Sequence, residues 1–189
     1  VSVDLASGVG AFGDADGDVL TGFENVVGSD SSDDLSGDGG ANALIGGSGF
    51  DMLNGAAGND TLSGGDNDDL LIGGAGADSL IGGTGTDIAS YAGAAAGVSV
   101  DLSTGAGSGS DAAGDALTGI ENLTGSNYSD ELTGNAEANV LSGGLSDDTL
   151  SGGLGADTLV GGKGADQMIG GLGDDVFQID ALEEIDQFG

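Results

Sequence analysis

Residues 46–81 read GGSGFDMLN-GAAGNDTLS-GGDNDDLLI-GGAGADSLI, four nine-residue units that follow one another without a gap. Each unit begins with glycine, has aspartate at its sixth position and has leucine at its eighth. The same register extends over residues 28–90 and returns over residues 125–178, so that thirteen units share it. A short period sustained over so many units indicates a solenoid rather than a globular core.

A second and longer period lies over the first. The segment VSVDL at residues 1–5 returns at residues 98–102, and the offset of 97 holds without a gap as far as Asp78 and Asp175. The chain therefore reads as a tandem duplication, in which the nonapeptide phase slips between the copies because 97 is not a multiple of nine. We expect one continuous stack, and two rolls joined by a flexible linker are the alternative. The predicted divisions are block A, 1–97 (lead-in 1–27, repeats 28–90, bridge 91–97), and block B, 98–189 (lead-in 98–124, repeats 125–178, partial C-terminal cap 179–189).

The composition indicates that the folded chain needs bound cations to offset repulsion between its carboxylates. The chain has 43 glycines, no proline, no cysteine, no histidine and no tryptophan, and its 33 acidic residues face a single basic one, for a net charge of −32. Two carboxylates about 5 Å apart repel each other by roughly 3 kcal/mol at an effective dielectric constant near 20. An acidic chain is often a disordered tail, but here the acids are phased with glycine and leucine. The sequence therefore predicts order with bound cations and disorder without them.

Several functional classes find little support in the sequence. Binding of nucleic acid needs a basic footprint, and only Lys163 is basic. No apolar run has membrane-spanning length. Without histidine or cysteine, and with nearly every carboxylate pair explained by a repeat position, we predict no enzyme activity and no catalytic residues. Because the chain starts at Val1 without a signal peptide, we expect it to be a fragment of a longer protein.

Each unit divides into a six-residue loop and a three-residue strand whose central residue points inward. Because one unit reverses the chain, two units make one coil of 18 residues, and equivalent residues of successive coils stack about 4.8 Å apart. The predicted inward residues are Leu35, Leu44, Leu53, Leu62, Leu71, Leu80 and Ala89 in the first block, and Leu132, Leu141, Leu150, Leu159, Met168 and Phe177 in the second.

The same stacking sorts the sixth-position residues into rows of candidate metal ligands. The predicted rows are Asp33, Asp51, Asp69 and Asp87; Asn42, Asp60 and Asp78; Asp130, Asp148 and Asp166; and Asn139, Asp157 and Asp175. Carboxylates and loop carbonyls without histidine or cysteine suit a hard cation, and flexible loops favour Ca²⁺ over Mg²⁺. We expect several Ca²⁺ ions, with weaker sites at Asn42 and Asn139. The loop carbonyls proposed to assist are those of Gly47, Gly49, Gly74, Gly76, Gly83, Gly85, Gly153, Gly155, Gly162, Gly164, Gly171 and Gly173.

These units resemble the repeats-in-toxin family of hemolysin-type calcium-binding proteins. The family unit GGxGxDxUx, where U is a large apolar residue, is matched by residues 46–54, 73–81 and 161–169. LTGFENVVGS at 20–29 and LTGIENLTGS at 117–126 also resemble the lead-ins of such blocks. The resemblance implies an all-β fold, a right-handed parallel β-roll (β-solenoid) with 18 residues per coil.

Some loops depart from the family unit and are expected to be the least regular. These carry Ala56 and Ala57, Asn67, Ser146, and Asn135 to Glu137 at positions that favour glycine.

The resemblance also implies a biological setting. Its members are secreted bacterial proteins that leave through a type I secretion channel unfolded and fold on meeting extracellular calcium. The expected partners are Ca²⁺, a passenger domain of the same parent chain and the type I secretion machinery, and the expected location is extracellular or at the cell surface. On this reading the tract supports folding, secretion and stability of a larger exported protein. The alternative is a structural rod or adhesive element of a surface protein.

One further acidic segment, DADGD at 14–18, superficially suggests an EF-hand. Its glycine comes fourth instead of sixth, and Asn25 stands where the loop needs glutamate, so the motif fails. Asp14 and Asp18 correspond to Asp111 and Asp115 in the second copy. These pairs are either an irregular calcium loop or solvated acids of a turn.

Overall fold

The computed structural model describes residues 1–178, and the predicted cap at 179–189 lies outside them. Within the described part of the chain, the regular structure is β-strand apart from two single 3-10 turns, Gly13–Ala15 and Ser110–Ala112. The strands, numbered along the chain, are β1 Ser2–Asp4, β2 Val9–Ala11, β3 Asn25–Val27, β4 Asp34–Ser36, β5 Ala43–Ser48, β6 Met52–Asn54, β7 Thr61–Asp66, β8 Leu70–Ile72, β9 Ser79–Thr84, β10 Ile88–Ser90, β11 Ser99–Asp101, β12 Ala106–Ser108, β13 Ala116–Thr118, β14 Asn122–Thr124, β15 Glu131–Thr133, β16 Val140–Leu145, β17 Thr149–Leu154, β18 Thr158–Lys163, β19 Gln167–Leu172 and β20 Val176–Gln178.

The strands form two ten-stranded sheets, and successive units alternate between them. The first sheet has the order β2-β1-β4-β6-β8-β10-β14-β16-β18-β20, and the second has the order β19-β17-β15-β11-β12-β13-β9-β7-β5-β3. Within the repeats the pairing is parallel and joins residues 18 apart, as Leu35 pairs with Leu53 and Leu44 with Leu62. The predicted 18-residue coil and β-solenoid fold are therefore confirmed, with about nine turns.

The core consists of two facing ladders of apolar side chains, one from each sheet. The fully buried leucines are Leu35, Leu44, Leu53, Leu62, Leu71, Leu80, Leu132, Leu141 and Leu150. Ala89 is also fully buried and lies in mid-ladder between Leu71 and Leu123, rather than at a weak end. Phe177 keeps the register by pairing with Leu159, but it is 57% exposed in the last coil that the structure describes.

The two blocks form one stack, as expected, and not two rolls on a linker. Strand β10 of block A pairs in parallel with β14 of block B in the first sheet, and β9 pairs with β13 in the second. Val98 and Val100, in the segment that opens block B, are 3% and 1% exposed. The core therefore continues through the lead-in segment.

An antiparallel insertion interrupts the second sheet where the blocks meet. Strand β12 pairs antiparallel with both β11 and β13, and β11 then pairs in parallel with β15. The second block is shifted by half a turn relative to the first, because β1 lies in the first sheet and its counterpart β11 in the second. As a result β4 lies in the first sheet, whereas β15, its counterpart 97 residues later, lies in the second.

Candidate metal centre

The sixth-position side chains stand in the rows predicted from the sequence. In each row the backbone N–H of one member donates to Oδ1 of the member 18 residues later, as Asp51 donates to Asp69 and Asp60 to Asp78, both at 2.8 Å. The same bond joins Asn42 to Asp60 at 2.7 Å, and Asp148 to Asp166 at 3.0 Å. One carboxylate oxygen of each of these aspartates thus ties its coil to the preceding one.

The second oxygen of most of these aspartates is buried without a hydrogen-bond donor. The unpartnered atoms are Oδ2 of Asp51, Asp60, Asp69, Asp78, Asp87, Asp148 and Asp157. A buried acceptor left unpaired costs about 1–3 kcal/mol, and more when it is charged. Seven such atoms in rows indicate positions where a positively charged ligand belongs.

A backbone carbonyl accompanies the unpartnered oxygen at the first glycine of the unit. At Gly46, a Cβ would collide with Oδ2 of Asp51 and would lie 2.6 Å from the carbonyl oxygen of Gly64 in the next coil. Two acceptors therefore converge on a point where only glycine leaves room. This close approach is what requires glycine at position one, and it provides the kind of oxygen cradle that suits a hard cation.

Nine loops share one conformation, with positive φ at both the second and the fourth position. They are the loops from the third unit of each block onward, and Gly65 with φ 118° is typical of them. Ala56, Asn67 and Ser146 adopt φ of 72°, 78° and 75° at these positions. The expectation that their loops would be irregular is therefore wrong, because neighbouring coils hold them in the same shape.

The first two loops of each block have a different conformation. In each of them a backbone N–H of the loop donates to the sixth-position side chain of the same unit, and we call these loops self-closed. Asp33 and Asp130 accept from the backbone N–H of Ser29 and Ser126 through Oδ2. Asn42 and Asn139 accept at 2.8 Å from the N–H of the second residue of their units through Oδ1. The predicted irregularity of the loop at 135–137 agrees with this different conformation.

The side-chain amides of the two asparagines also have backbone partners. Nδ2 of Asn42 donates to the carbonyl of Glu24 at 3.3 Å, and that of Asn139 to the carbonyl of Glu121 at 2.7 Å. The sequence predicted that the asparagine positions differ from the aspartate positions. It did not predict the backbone hydrogen bonds within the loop that Asp33 and Asp130 accept. The signal was present as serine in place of glycine at position two of both units.

Burial and mutual repulsion shift the titration of the row aspartates. Burial raises the pKa of Asp69 to about 6, a hydrogen bond from the backbone of Asp51 opposes the shift, and the charges of Asp51 and Asp87 add to it. Burial likewise raises the pKa of Asp78 and of Asp148 to about 6. The same cause raises the pKa of Asp51, Asp60 and Asp87. These carboxylates disfavour the charged form unless a cation is near.

Three of the twelve candidate glycine carbonyls are seen to lie between neighbouring coils. The carbonyl oxygens of Gly47, Gly153 and Gly155 occupy the space that a Cβ would fill at the matching glycine of the next coil. Within residues 1–178 no three acidic, histidine or cysteine side chains converge as a metal cluster. Backbone carbonyl oxygens of this kind are ligands that Ca²⁺ accepts readily.

The structure adds two residues to the rows. The backbone N–H of Asp78 donates to Oδ1 of Asp115, and that of Asp87 to Oε2 of Glu121. Asp115 is 4% exposed, whereas its block A counterpart Asp18 is exposed. The sequence left two interpretations of these acids, an irregular calcium loop or solvated residues of a turn. The second describes Asp18 but not the buried Asp115.

The geometry agrees with what the chain matches among known families. The model of the RTX calcium-binding nonapeptide repeat (4 copies) matches residues 20–53, 54–89, 115–150, 124–159 and 142–177, well over half of the chain. The chain belongs to this repeats-in-toxin family. It is therefore a calcium-binding β-roll, and the resemblance inferred from the sequence is confirmed.

No curated protein gives a significant match to the chain. Among the residues that the structure describes, no helix is long and apolar enough to cross a membrane.

Proposed function

We propose that this β-roll is a folding element, which orders as Ca²⁺ ions fill its rows and then stabilises a larger exported protein. The observation that carries the proposal is the set of buried Oδ2 atoms without donors. In the metal-free state these atoms and a net charge of −32 oppose stacking. An ion that binds only the folded roll adds its binding energy to folding.

The proposed ligands are the sixth-position aspartates together with loop carbonyls. The strongest proposed sites are in the nine loops with positive φ at their second and fourth positions, which we call open loops. Their sixth-position aspartates are Asp51, Asp60, Asp69, Asp78, Asp87, Asp148, Asp157, Asp166 and Asp175. Asp33, Asp130, Asn42 and Asn139 belong to the self-closed loops, and we propose weaker binding there because backbone donors already hold their oxygens. Each block, in the boundaries given above, then combines two closed loops with a run of open ones.

The proposed setting follows the family. Repeats of this kind are typical of exported proteins, and a chain that is unfolded at low calcium and folded at high calcium is suited to passage through a type I secretion channel. We further propose that the roll itself carries no catalytic activity and that any activity belongs to a passenger domain of the parent chain.

The test is circular dichroism during a calcium titration, with magnesium at equal concentration as control. We expect a cooperative gain of β-structure with Ca²⁺, little gain with Mg²⁺, and reversal by a chelator. A chelated protein that retains its full strand content would contradict the proposal. So would equal folding in the two metals.

A structural rod or adhesive element is the second candidate, and the continuity of the stack favours it. Because both sheets run through the junction of the blocks, the two blocks can act as one extended body. The two candidates differ in what the passenger needs. If refolding of an attached passenger is equally efficient with the roll deleted, the rod is favoured over the folding element.

A further inference from the structure

The junction between the blocks contains an oxygen-rich position that the last nonapeptide unit of block A forms together with the lead-in segment of block B. Asp87 is the last sixth-position aspartate of block A, and the coil that follows it in the first sheet is the lead-in strand β14. The N–H of Asp87 donates to Oε2 of Glu121 at 2.9 Å. In return the N–H groups of Glu121 and Asn122 donate to the carbonyl of Asp87 at 3.2 and 3.0 Å. Glu121 thus takes the place that a sixth-position aspartate has elsewhere.

The backbone around this pair reproduces the oxygen cradle of the repeats. A Cβ at Gly82 would lie 2.5 Å from Oδ2 of Asp87 and would collide with the carbonyl oxygen of Gly119. At Gly46 the same space holds Oδ2 of Asp51 and the carbonyl of Gly64. Gly119, which lies outside the nonapeptide units, therefore stands in for the first glycine of the next unit.

An independent observation shows that this cradle lacks a donor. The Asp87 side chain is fully buried, and its Oδ2 has no hydrogen-bond partner. Burial of an ionised oxygen without a partner is among the costliest arrangements in a folded protein.

The opposite flank of the junction is closed differently. There Asp115 accepts the N–H of Asp78 through Oδ1, while its Oδ2 accepts the hydroxyl of Tyr91 at 2.9 Å. Both oxygens of Asp115 are therefore satisfied by protein donors. At Glu121, by contrast, the hydrogen bonds described reach only Oε2, so its second oxygen remains for a ligand.

We propose that Asp87, Glu121 and the carbonyl of Gly119 form a junction Ca²⁺ site that joins the two blocks. The inference rests on the proposed function, because it extends calcium binding from the nonapeptide rows to the lead-in segment. It assigns ligands that lie outside the repeats, and it gives one flank of the junction a calcium-binding Glu121 where the other flank has Asp115 held by the Tyr91 hydroxyl.

The test compares Glu121→Gln with Glu24→Gln. Glu24 is the counterpart of Glu121 in block A and is exposed. Its side-chain change leaves untouched the carbonyl that holds Asn42. In Glu121→Gln the new amide keeps an oxygen for the N–H of Asp87 but lacks the charge. By flow dialysis with ⁴⁵Ca²⁺, we expect Glu121→Gln to bind about one ion fewer than wild type, and Glu24→Gln to match wild type.

A second readout observes the carbonyl directly. Gly119–Ile120 is the one Gly–Ile pair in the sequence, so labelling with ¹³C-carbonyl glycine and ¹⁵N isoleucine gives a single two-residue NMR correlation. In wild type folded in calcium, this carbonyl resonance is expected to shift when Sr²⁺, a larger ion of the same charge, replaces Ca²⁺, and in Glu121→Gln it is expected not to. If Glu121→Gln does not fold, the wild-type resonance alone decides the proposal.

Equal ion counts in all three proteins, or a Gly119 carbonyl resonance that does not move when Sr²⁺ replaces Ca²⁺ in folded wild type, would overturn the junction site alone. A wild type that binds no calcium would instead overturn the proposed function.

Discussion

The backbone N–H of Asp69 donates a 2.8 Å hydrogen bond to Oδ1 of Asp87, one coil further along the chain. The bond uses one carboxylate oxygen for the protein and leaves Oδ2 of Asp87 without a donor. Each row aspartate of this kind therefore has one oxygen that holds the neighbouring coil and one that is available to the proposed ion, and substitutions can separate the two roles.

The substitution Asp69→Asn separates them most simply. The amide keeps an oxygen that can accept the N–H of Asp51, but it removes the charge. We expect calcium binding at the affected positions to weaken on the order of tenfold, while the calcium-saturated fold persists. Isothermal titration calorimetry measures the change. Asp30→Asn, at an exposed loop residue outside the sixth position, is the control, and equal effects of the two substitutions would argue against the rows.

The left-handed backbone at Ala56 gives a prediction of increased stability. Its φ of 72° is one that glycine adopts without strain, so Ala56→Gly should stabilise the calcium-loaded roll by about 1 kcal/mol. The reverse change at Gly74, with φ 89°, should be destabilising, since a Cβ there would collide with the carbonyl of Ala56. Thermal unfolding measures both. Gly93→Ala is the matched control because nothing lies within 4 Å of the added methyl group.

The inward ladder predicts a large effect at Leu71. This side chain is fully buried between coils, and Leu71→Ala should lower the free energy of unfolding by about 2–5 kcal/mol. Leu172→Ala removes the same atoms from a side chain that is 71% exposed, and it should change stability by less than about 0.5 kcal/mol. Denaturant unfolding in saturating calcium compares the two. Similar losses would contradict the assignment of the core.

The raised pKa values predict an inverted pH dependence for the metal-free protein. With the pKa of Asp69, Asp78 and Asp148 near 6 in the folded roll and near the ordinary value of about 4 in the unfolded chain, the folded state binds more protons between these limits. Stability without calcium should therefore fall as pH rises through about 4 to 6.

The measurement is circular dichroism in chelator at pH values from about 5 to 7, above the isoelectric point near 4.1. A metal-free protein that gains structure toward neutral pH would contradict the prediction. In calcium the order should reverse, because protons compete with the ion for the same oxygens.

The junction offers a test that is independent of metal. Tyr91 is 3% exposed, and its hydroxyl donates to Asp115. Tyr91→Phe leaves a buried carboxylate oxygen unpaired and should destabilise the folded roll by about 1–3 kcal/mol. Calorimetry in saturating calcium measures the loss. Tyr128→Phe, at a side chain 49% exposed, should have little effect, and equal losses would show that the phenol is not a junction contact.

The features that recur in every nine-residue unit were mostly predictable from the sequence. The alternation of sheets, the buried leucines and the rows of carboxylates follow from a nine-residue period, because each unit meets the same neighbours as the one before it. Even Ala56 follows this rule, since adjacent coils impose a glycine-like φ on it. Predicting irregularity there gave local propensity more weight than the stack allows.

The parts that do not repeat were not predictable in the same way. Asp87 and Glu121 are 34 residues apart, and their contact depends on how the antiparallel strands β11, β12 and β13 fit into the second sheet. No period encodes that distance. The self-closed loops at Asp33 and Asp130 depend on one serine each, a difference visible in the sequence but interpretable only with the backbone in view.

The half-turn shift between the blocks has a consequence for what the molecule displays. Met52 and Thr149 are counterparts in the duplication, yet they project from opposite sheets. The duplication therefore gives the roll two broad sides with related sets of outward side chains, one from each copy. A flat binding partner that contacts the outward side chains of one copy on one sheet would therefore meet their counterparts from the other copy on the opposite sheet.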